Sequence, residues 1–135
     1  MQKTKLVNLQ HFIEDNGYLT VVQEKSGVMP FPMVRLFNVC ANKGDKRGEH
    51  AHKKCSQFFL SIFGKINLYI ETPDIKKKIT LNHTSKTGVL VPPKYWCSIK
   101  FVTKNSILMV ACDQHYNVND YLKNFNVYKK YLRKK

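Results

Sequence analysis

The chain has 135 residues, 43% of them hydrophobic; that size and apolar content fill one core, so residues 1–135 are expected to form a single domain. Lysine and arginine outnumber aspartate and glutamate 23 to 9, for a formal net charge of +14, but the cations are scattered and match no recognised nucleic-acid motif, which argues for a solvated surface and no nucleic-acid partner. No apolar run approaches the roughly 18 residues of a membrane span, and no signal-peptide pattern opens the chain, so no membrane association and a cytoplasmic location are expected.

Short β segments separated by turn residues run through most of the chain, without internal repeats or low-complexity linkers. Strands are predicted over 18–24 and 34–40, the first preceded by a turn at Asn16-Gly17. Segments 57–63 and 65–71 flank Gly64 as a predicted hairpin, the second alternating Ile66, Leu68 and Ile70 with polar neighbours. Further strands are predicted over 77–81, 88–91, 97–103 and 106–112, with turns at Thr72-Pro73-Asp74 and Lys104-Asn105. This spacing suits a mainly β protein, a sandwich or small barrel. From Asn119 the apolar residues Leu122, Phe125, Tyr128 and Leu132 recur at helical spacing, and a C-terminal helix capped by Asn119 is predicted, with Asp120 in its first turn. Cys40, Cys55, Cys97 and Cys112 include no C-x-x-C pair and read as reduced thiols.

The run Arg47-Gly48-Glu49-His50-Ala51-His52-Lys53, between Gly44 and Gly64, reads G-x5-H-x-H-x4-Q-x6-G. Strand pleating projects His50 and His52 to one side, where both can act on one bound molecule. The frame resembles the first motif of the cupin superfamily, with Gln57 where a metal-binding cupin carries glutamate. Cupin metal sites usually take another histidine from a later strand, and here Cys97 occupies the corresponding place. A neutral amide is a poor substitute for a carboxylate, and a lone histidine pair leaves a divalent ion under-coordinated. His50 and His52 are therefore read as acid-base residues, with no metal.

R-G-x-H-A-H-K followed by glutamine resembles the sugar 3,4-ketoisomerases that act on dTDP-4-keto-6-deoxyglucose. The resemblance covers nearly the whole chain: Ile13 to Leu19, Pro30-Phe31, Arg35, Cys112-Asp113 through Asp120-Tyr121, and Tyr128 to Tyr131 all fall where that family has similar residues. Asn16 departs from an arginine found in many members, Phe37-Asn38 from an aromatic pair, and Cys97 from a histidine. The resemblance implies a cupin-type jelly roll with a C-terminal helix. It also implies a homodimer with an N-terminal strand exchanged between subunits, and a reaction that needs no cofactor.

That reaction moves a ketone from carbon 4 to carbon 3 through an enediol, in biosynthesis of a dTDP-linked 3-amino-3,6-dideoxyhexose. Histidine suits it because its ordinary pKa of about 6.5 lets it take and give a proton near neutrality. His52 is assigned as the carbon-3 base and His50 as the partner that polarises the oxygen or shuttles the proton, or the reverse. Arg47 is the candidate for a charge-assisted contact to sugar or diphosphate oxygens. Gln57, Arg35 and Trp96 are further candidates for substrate binding, Arg35 because a charge inside a barrel needs a partner, Trp96 as an aromatic wall. His11, His83 and His115 have no local constellation and read as surface or structural residues. Two alternatives are a different cupin enzyme, either a 3,5-epimerase, whose histidine-aspartate pairing is not apparent in the sequence, or a metal-dependent oxygenase, and a non-catalytic sugar-nucleotide or nucleic-acid binding module.

Overall fold

Alternation of apolar and polar residues resolves into strands in a computed structural model, which describes residues 1–24 and 29–134; Lys135, last of the tail cations, lies outside that range. The described strands are β1 (Lys5–Asn8), β2 (Gln10–Glu14), β3 (Gly17–Val21), β4 (Arg35–Cys40), β5 (Lys46–His52), β6 (Gln57–Phe63), β7 (Lys65–Glu71), β8 (Lys76–Asn82), β9 (Thr87–Val91), β10 (Trp96–Phe101), β11 (Ile107–Cys112) and β12 (Tyr121–Leu122), followed by helix α1 (Phe125–Arg133). One antiparallel sheet has the order β1-β9-β6-β11-β4, a second the order β12-β5-β10-β7-β8, and β2 and β3 form a separate hairpin. Two such sheets face to face, with the helix at the C-terminus, are the expected cupin-type jelly roll. Among the described residues no helix is long and apolar enough to cross a membrane.

The alternating residues of the two inner faces make the main core, including Phe59, Val89 and Val110 from the first sheet and Ile66, Leu68, Ile70, Ile99 and Phe101 from the second. Each such side chain contributes roughly 2 kcal/mol by leaving water. A smaller cluster of Val7, Leu9, Met29, Phe58, Leu60 and Ala111 covers the other face of the first sheet. A third, of Ala51, Leu122 and Tyr128, lies under α1.

Two expectations are corrected. Segments 57–63 and 65–71 are strands with the predicted bounds, but they do not pair: β6 bonds to β9 and β11 in one sheet and β7 to β8 and β10 in the other. Gly64 is the corner that carries the chain between sheets. Its φ of +83° and the Ser106 and Thr103 hydroxyls packed where a Cβ would stand both call for glycine. The helix begins later than predicted, because Asn124 and not Asn119 caps it, accepting from Val127 N–H at 3.1 Å. Asn119 sits instead in a 3-10 turn, Val118–Asp120, and Leu122 in β12. β1 pairs with the edge of β9.

Candidate active site

Strand β5 is bulged, and the bulge decides which side chains share its inner face. Against β10 the partner of His50 is Cys97 and that of Arg47 is Ile99, so three steps along β5 match two along β10. Without the bulge Arg47 and His50 would point to opposite faces; with it both follow the inward pair Cys97 and Ile99. Gly48 makes this possible, its φ of +77° being open to glycine and its missing Cβ leaving Ile99 undisturbed. His52, two residues beyond His50, lies on the same face, while Ala51 turns outward under α1.

The inner face of β5 borders a cleft of about 380 Å³ whose lining includes Arg47, His50, Gln57, Cys97, Tyr116 and Tyr121. That volume is within the range of small-molecule sites. A larger hollow of about 540 Å³ lies under the β2–β3 hairpin, but its lining is mostly apolar and, among the described residues, holds only His83 and Lys86 as titratable groups besides Tyr18. The smaller cleft gathers the polar and titratable groups, Arg47, His50, Gln57, Tyr116, Tyr121 and Lys123 among them.

His52 is 5% exposed and packs against His50 and Tyr121, with ring centroids 5.0 and 4.4 Å away. Its Nδ1 lies 2.9 Å from Asp120 Oδ2. A proton on Nδ1 donates to that carboxylate, which leaves Nε2 as the free base, and Nε2 is buried without a hydrogen-bond partner. Asp120 is itself fixed, its Oδ1 accepting from Lys54 N–H at 2.7 Å and its Oδ2 from Cys55 N–H at 3.3 Å. Lys53 N–H also donates to the Asp120 carbonyl at 2.9 Å. Burial lowers the pKa of His52, outweighing the opposing pull of Asp120. His50 is lowered to about 4, by burial first and then by the nearby His52 and Lys123. Burial thus favours the neutral form of both imidazoles.

Most of the expected site residues converge here, though not as one row. Arg47 is exposed at the cleft mouth. Gln57 is buried on β6, so it faces the histidines from the opposite sheet instead of extending their strand. Arg35, at the start of β4, lies 5.2 Å from the ring of Phe37 and 5.6 Å from that of Tyr116, both in the cleft lining. Trp96 is a correction: it packs edge-on against Phe125 at 5.2 Å and beside Tyr128, on the helix side of β10. The pleat explains this, since its neighbour Cys97 takes the inward place. Cys97 is buried and pushed up to about 12 by that burial, which keeps it a neutral thiol. His83 is structural, accepting from Gly64 N–H at 3.0 Å, and His11 lies 2.8 Å from Thr20 Oγ1.

Asp120, Tyr121 and Tyr116 were missed as site residues. Sequence pattern places Asp120 in the first turn of a helix, whereas the structure pairs it with His52, 68 positions away. No local spacing encodes such a contact. Among the described residues His52, Cys55 and Asp120 bring one ligand atom each within 4.8 Å of one another and could hold a metal. Those atoms have internal partners, however: the carboxylate accepts the three bonds above and the Cys55 thiol donates to Ser56 O at 3.3 Å.

Comparisons with known proteins give the family. The family model described as FdtA: WxcM-like, C-terminal matches residues 2–133. The TDP-4-oxo-6-deoxy-alpha-D-glucose-3,4-oxoisomerase of Aneurinibacillus thermoaerophilus is 28% identical over 133 residues, 98% of this chain and 94% of the relative. Two structures of the 3,4-ketoisomerase QdtA of Thermoanaerobacterium thermosaccharolyticum are also similar. A histidine variant in complex with TDP-4-keto-6-deoxyglucose has a TM-score of 0.91 at 25% identity, covering 100% of this chain and 97% of that one. QdtA in complex with TDP has a TM-score of 0.89 at 26% identity, covering 97% and 95%. With a match spanning nearly its full length, the chain belongs to the FdtA, WxcM-like family, among whose relatives are sugar 3,4-ketoisomerases.

Proposed function

We propose that this protein is a sugar-nucleotide 3,4-ketoisomerase that converts dTDP-4-keto-6-deoxyglucose to its 3-keto isomer. The observation that carries the mechanism is the buried His52, oriented by Asp120, with Nε2 unpartnered and the ring packed against His50 and Tyr121 of the cleft lining. His52 Nε2 takes the proton from carbon 3, made acidic by the adjoining carbonyl. The electron pair forms the carbon 3–carbon 4 double bond, and the carbon-4 oxygen gains the negative charge. His50 and Tyr121, 4.9 Å apart between ring centroids, are the donors placed to steady that oxygen. The carbon-3 hydroxyl proton passes to the carbon-4 oxygen, directly or through His50. Collapse of the enediolate then makes the carbon-3 ketone as a proton is delivered to carbon 4. Atoms and electrons balance with no redox partner. Asp120 stabilises the imidazolium that exists between the two transfers.

Arg47 at the mouth supplies a fixed cation for sugar or diphosphate oxygens, joined by Lys123 of the same lining. Gln57 and Arg35 border the sugar end. The 3,5-epimerase alternative can no longer be set aside for want of a histidine-aspartate pair; what favours the ketoisomerase is its resemblance to 3,4-isomerases over the whole chain. We also place the protein in the cytoplasm as a single catalytic domain forming a homodimer. The β2–β3 hairpin supports the dimer, since it exposes Phe12, Ile13, Tyr18 and Leu19 outside both sheets. The four free cysteines fit a reducing compartment.

The test is to incubate chelator-treated protein with dTDP-4-keto-6-deoxyglucose in deuterated water and follow the sugar by NMR. A 3-keto product with deuterium at carbon 4 is expected, and its coupling pattern reads out whether carbon 4 is gluco or galacto. Inversion at carbon 5 with the ketone still at carbon 4 would identify an epimerase instead.

A further inference from the structure

The strand register lays out a row of side chains that the isomerisation does not use directly. Cys112 on β11 is the register partner of Arg35 on β4 and of Gln57 on β6, so the three stand side by side across adjacent strands. Arg35 Nη2 donates to Cys112 Sγ at 3.5 Å, and Gln57 Nε2 donates to the same sulfur at 3.8 Å. Cys112 is fully buried. Among the described residues Arg35 has no carboxylate partner: the two ion pairs are His52 with Asp120 and Lys76 with Glu71. Asp113, the carboxylate beside Cys112 in sequence, has Oδ1 taken by Ser56 N–H at 2.8 Å. A guanidinium half-withdrawn from water needs a countercharge, and the sulfur is the acceptor it meets.

We propose that Cys112 is a positioning residue: its sulfur is the acceptor that fixes the Arg35 guanidinium and the Gln57 amide at the cleft. The groups facing it are Arg35 from β4, Gln57 from β6 and Cys55 from the loop after β5, with Asp113 adjoining and His52 and Tyr121 beyond Arg35. Its ionisation is drawn down to about 6 by the Cys55 thiol and, against the opposing effect of burial, by Arg35 and Gln57. The same contact pushes the Cys55 thiol up. The Arg35 side chain is then held from two sides, by sulfur at its edge and by the Phe37 and Tyr116 rings. The consequence for catalysis rests on the ketoisomerase reading: above about pH 6 the row is ionised and Arg35 is held for substrate, and below it the anchor weakens.

The experiment follows thiolate absorbance in the native protein against pH, for wild type, Cys112→Ser and Arg35→Met. One ionisation near pH 6 is expected in wild type, absent from Cys112→Ser and moved upward in Arg35→Met. With dTDP-4-keto-6-deoxyglucose, Cys112→Ser should keep its melting temperature yet lose about tenfold to a hundredfold in kcat/KM, chiefly through KM, because a charge-assisted acceptor has become neutral. Its kcat/KM should also lose the wild-type fall below pH 6. A wild type without a thiol ionising below neutral pH overturns the proposal, as does a folded Cys112→Ser enzyme with unchanged KM and pH profile. If Cys112→Ser does not fold, wild type against Arg35→Met decides. The titration needs no substrate, so a failure of the ketoisomerase reading would leave its result intact.

Discussion

Strand β5 carries Arg47, His50 and His52 at spacings set by pleat and bulge, whereas the segment from Tyr116 to Tyr121 carries half of the same site with no periodicity of its own. The first region is a motif because all its geometry is local: alternation puts the two histidines on one face and Gly48 adds Arg47. The second is positioned by tertiary bonds. Asp120 is held by the backbone of Lys53, Lys54 and Cys55, and Tyr121 pairs with His52 as part of β12. The proposed base thus combines one residue that local pattern places and another that only chain closure can bring.

If that division is right, the largest loss comes from the base itself. His52→Asn should lower kcat by about 10³- to 10⁴-fold with little change in KM, measured by NMR of the keto sugar. Asp120→Asn separates orientation from proton abstraction. It should cost about 10²-fold in kcat, and also about 1–3 kcal/mol of stability, because the carboxylate accepts backbone N–H groups that the amide satisfies less well. Chemical denaturation beside the kinetics reads both effects; full activity would show that Asp120 serves only the fold.

How much of this was legible follows the same division. The strand bounds 57–63 and 65–71 were readable because alternation and Gly64 are local signals, yet their pairing was not, since a corner and a hairpin turn place the same glycine between the same strands. The two histidines and Arg47 were readable for the same reason. Asp120 was hidden because an acid beside an asparagine before an apolar stripe is also a helix start. Asn124 competes for that start and makes the cap, while the β5–β6 loop takes Asp120. Trp96 misled because sequence places it beside the cleft without saying which face of β10 it occupies.

A smaller effect tests the electrostatics of β5. Because burial favours the neutral imidazole, His50 should gain its proton only near pH 4, seen by NMR titration of the ring, and not near the ordinary 6.5. The sign for stability follows: between those values the unfolded chain takes a proton that the fold refuses, so acidification through that window destabilises the protein. A midpoint near 6.5 would mean that the ring is open to water. The smallest catalytic effect belongs to Trp96→Phe, which loosens the packing on α1. It should lower stability by about 1 kcal/mol while leaving kcat/KM within about twofold; a large rise in KM would return Trp96 to the substrate.

The most direct measurement uses substrate carrying deuterium at carbon 3, in ordinary water, with wild type, His52→Asn and His50→Asn, following loss of that deuterium by NMR. Wild type should release it and His52→Asn should retain it, with His50→Asn still releasing it at a reduced rate. Release undiminished in His52→Asn but abolished in His50→Asn would contradict the assignment of the base.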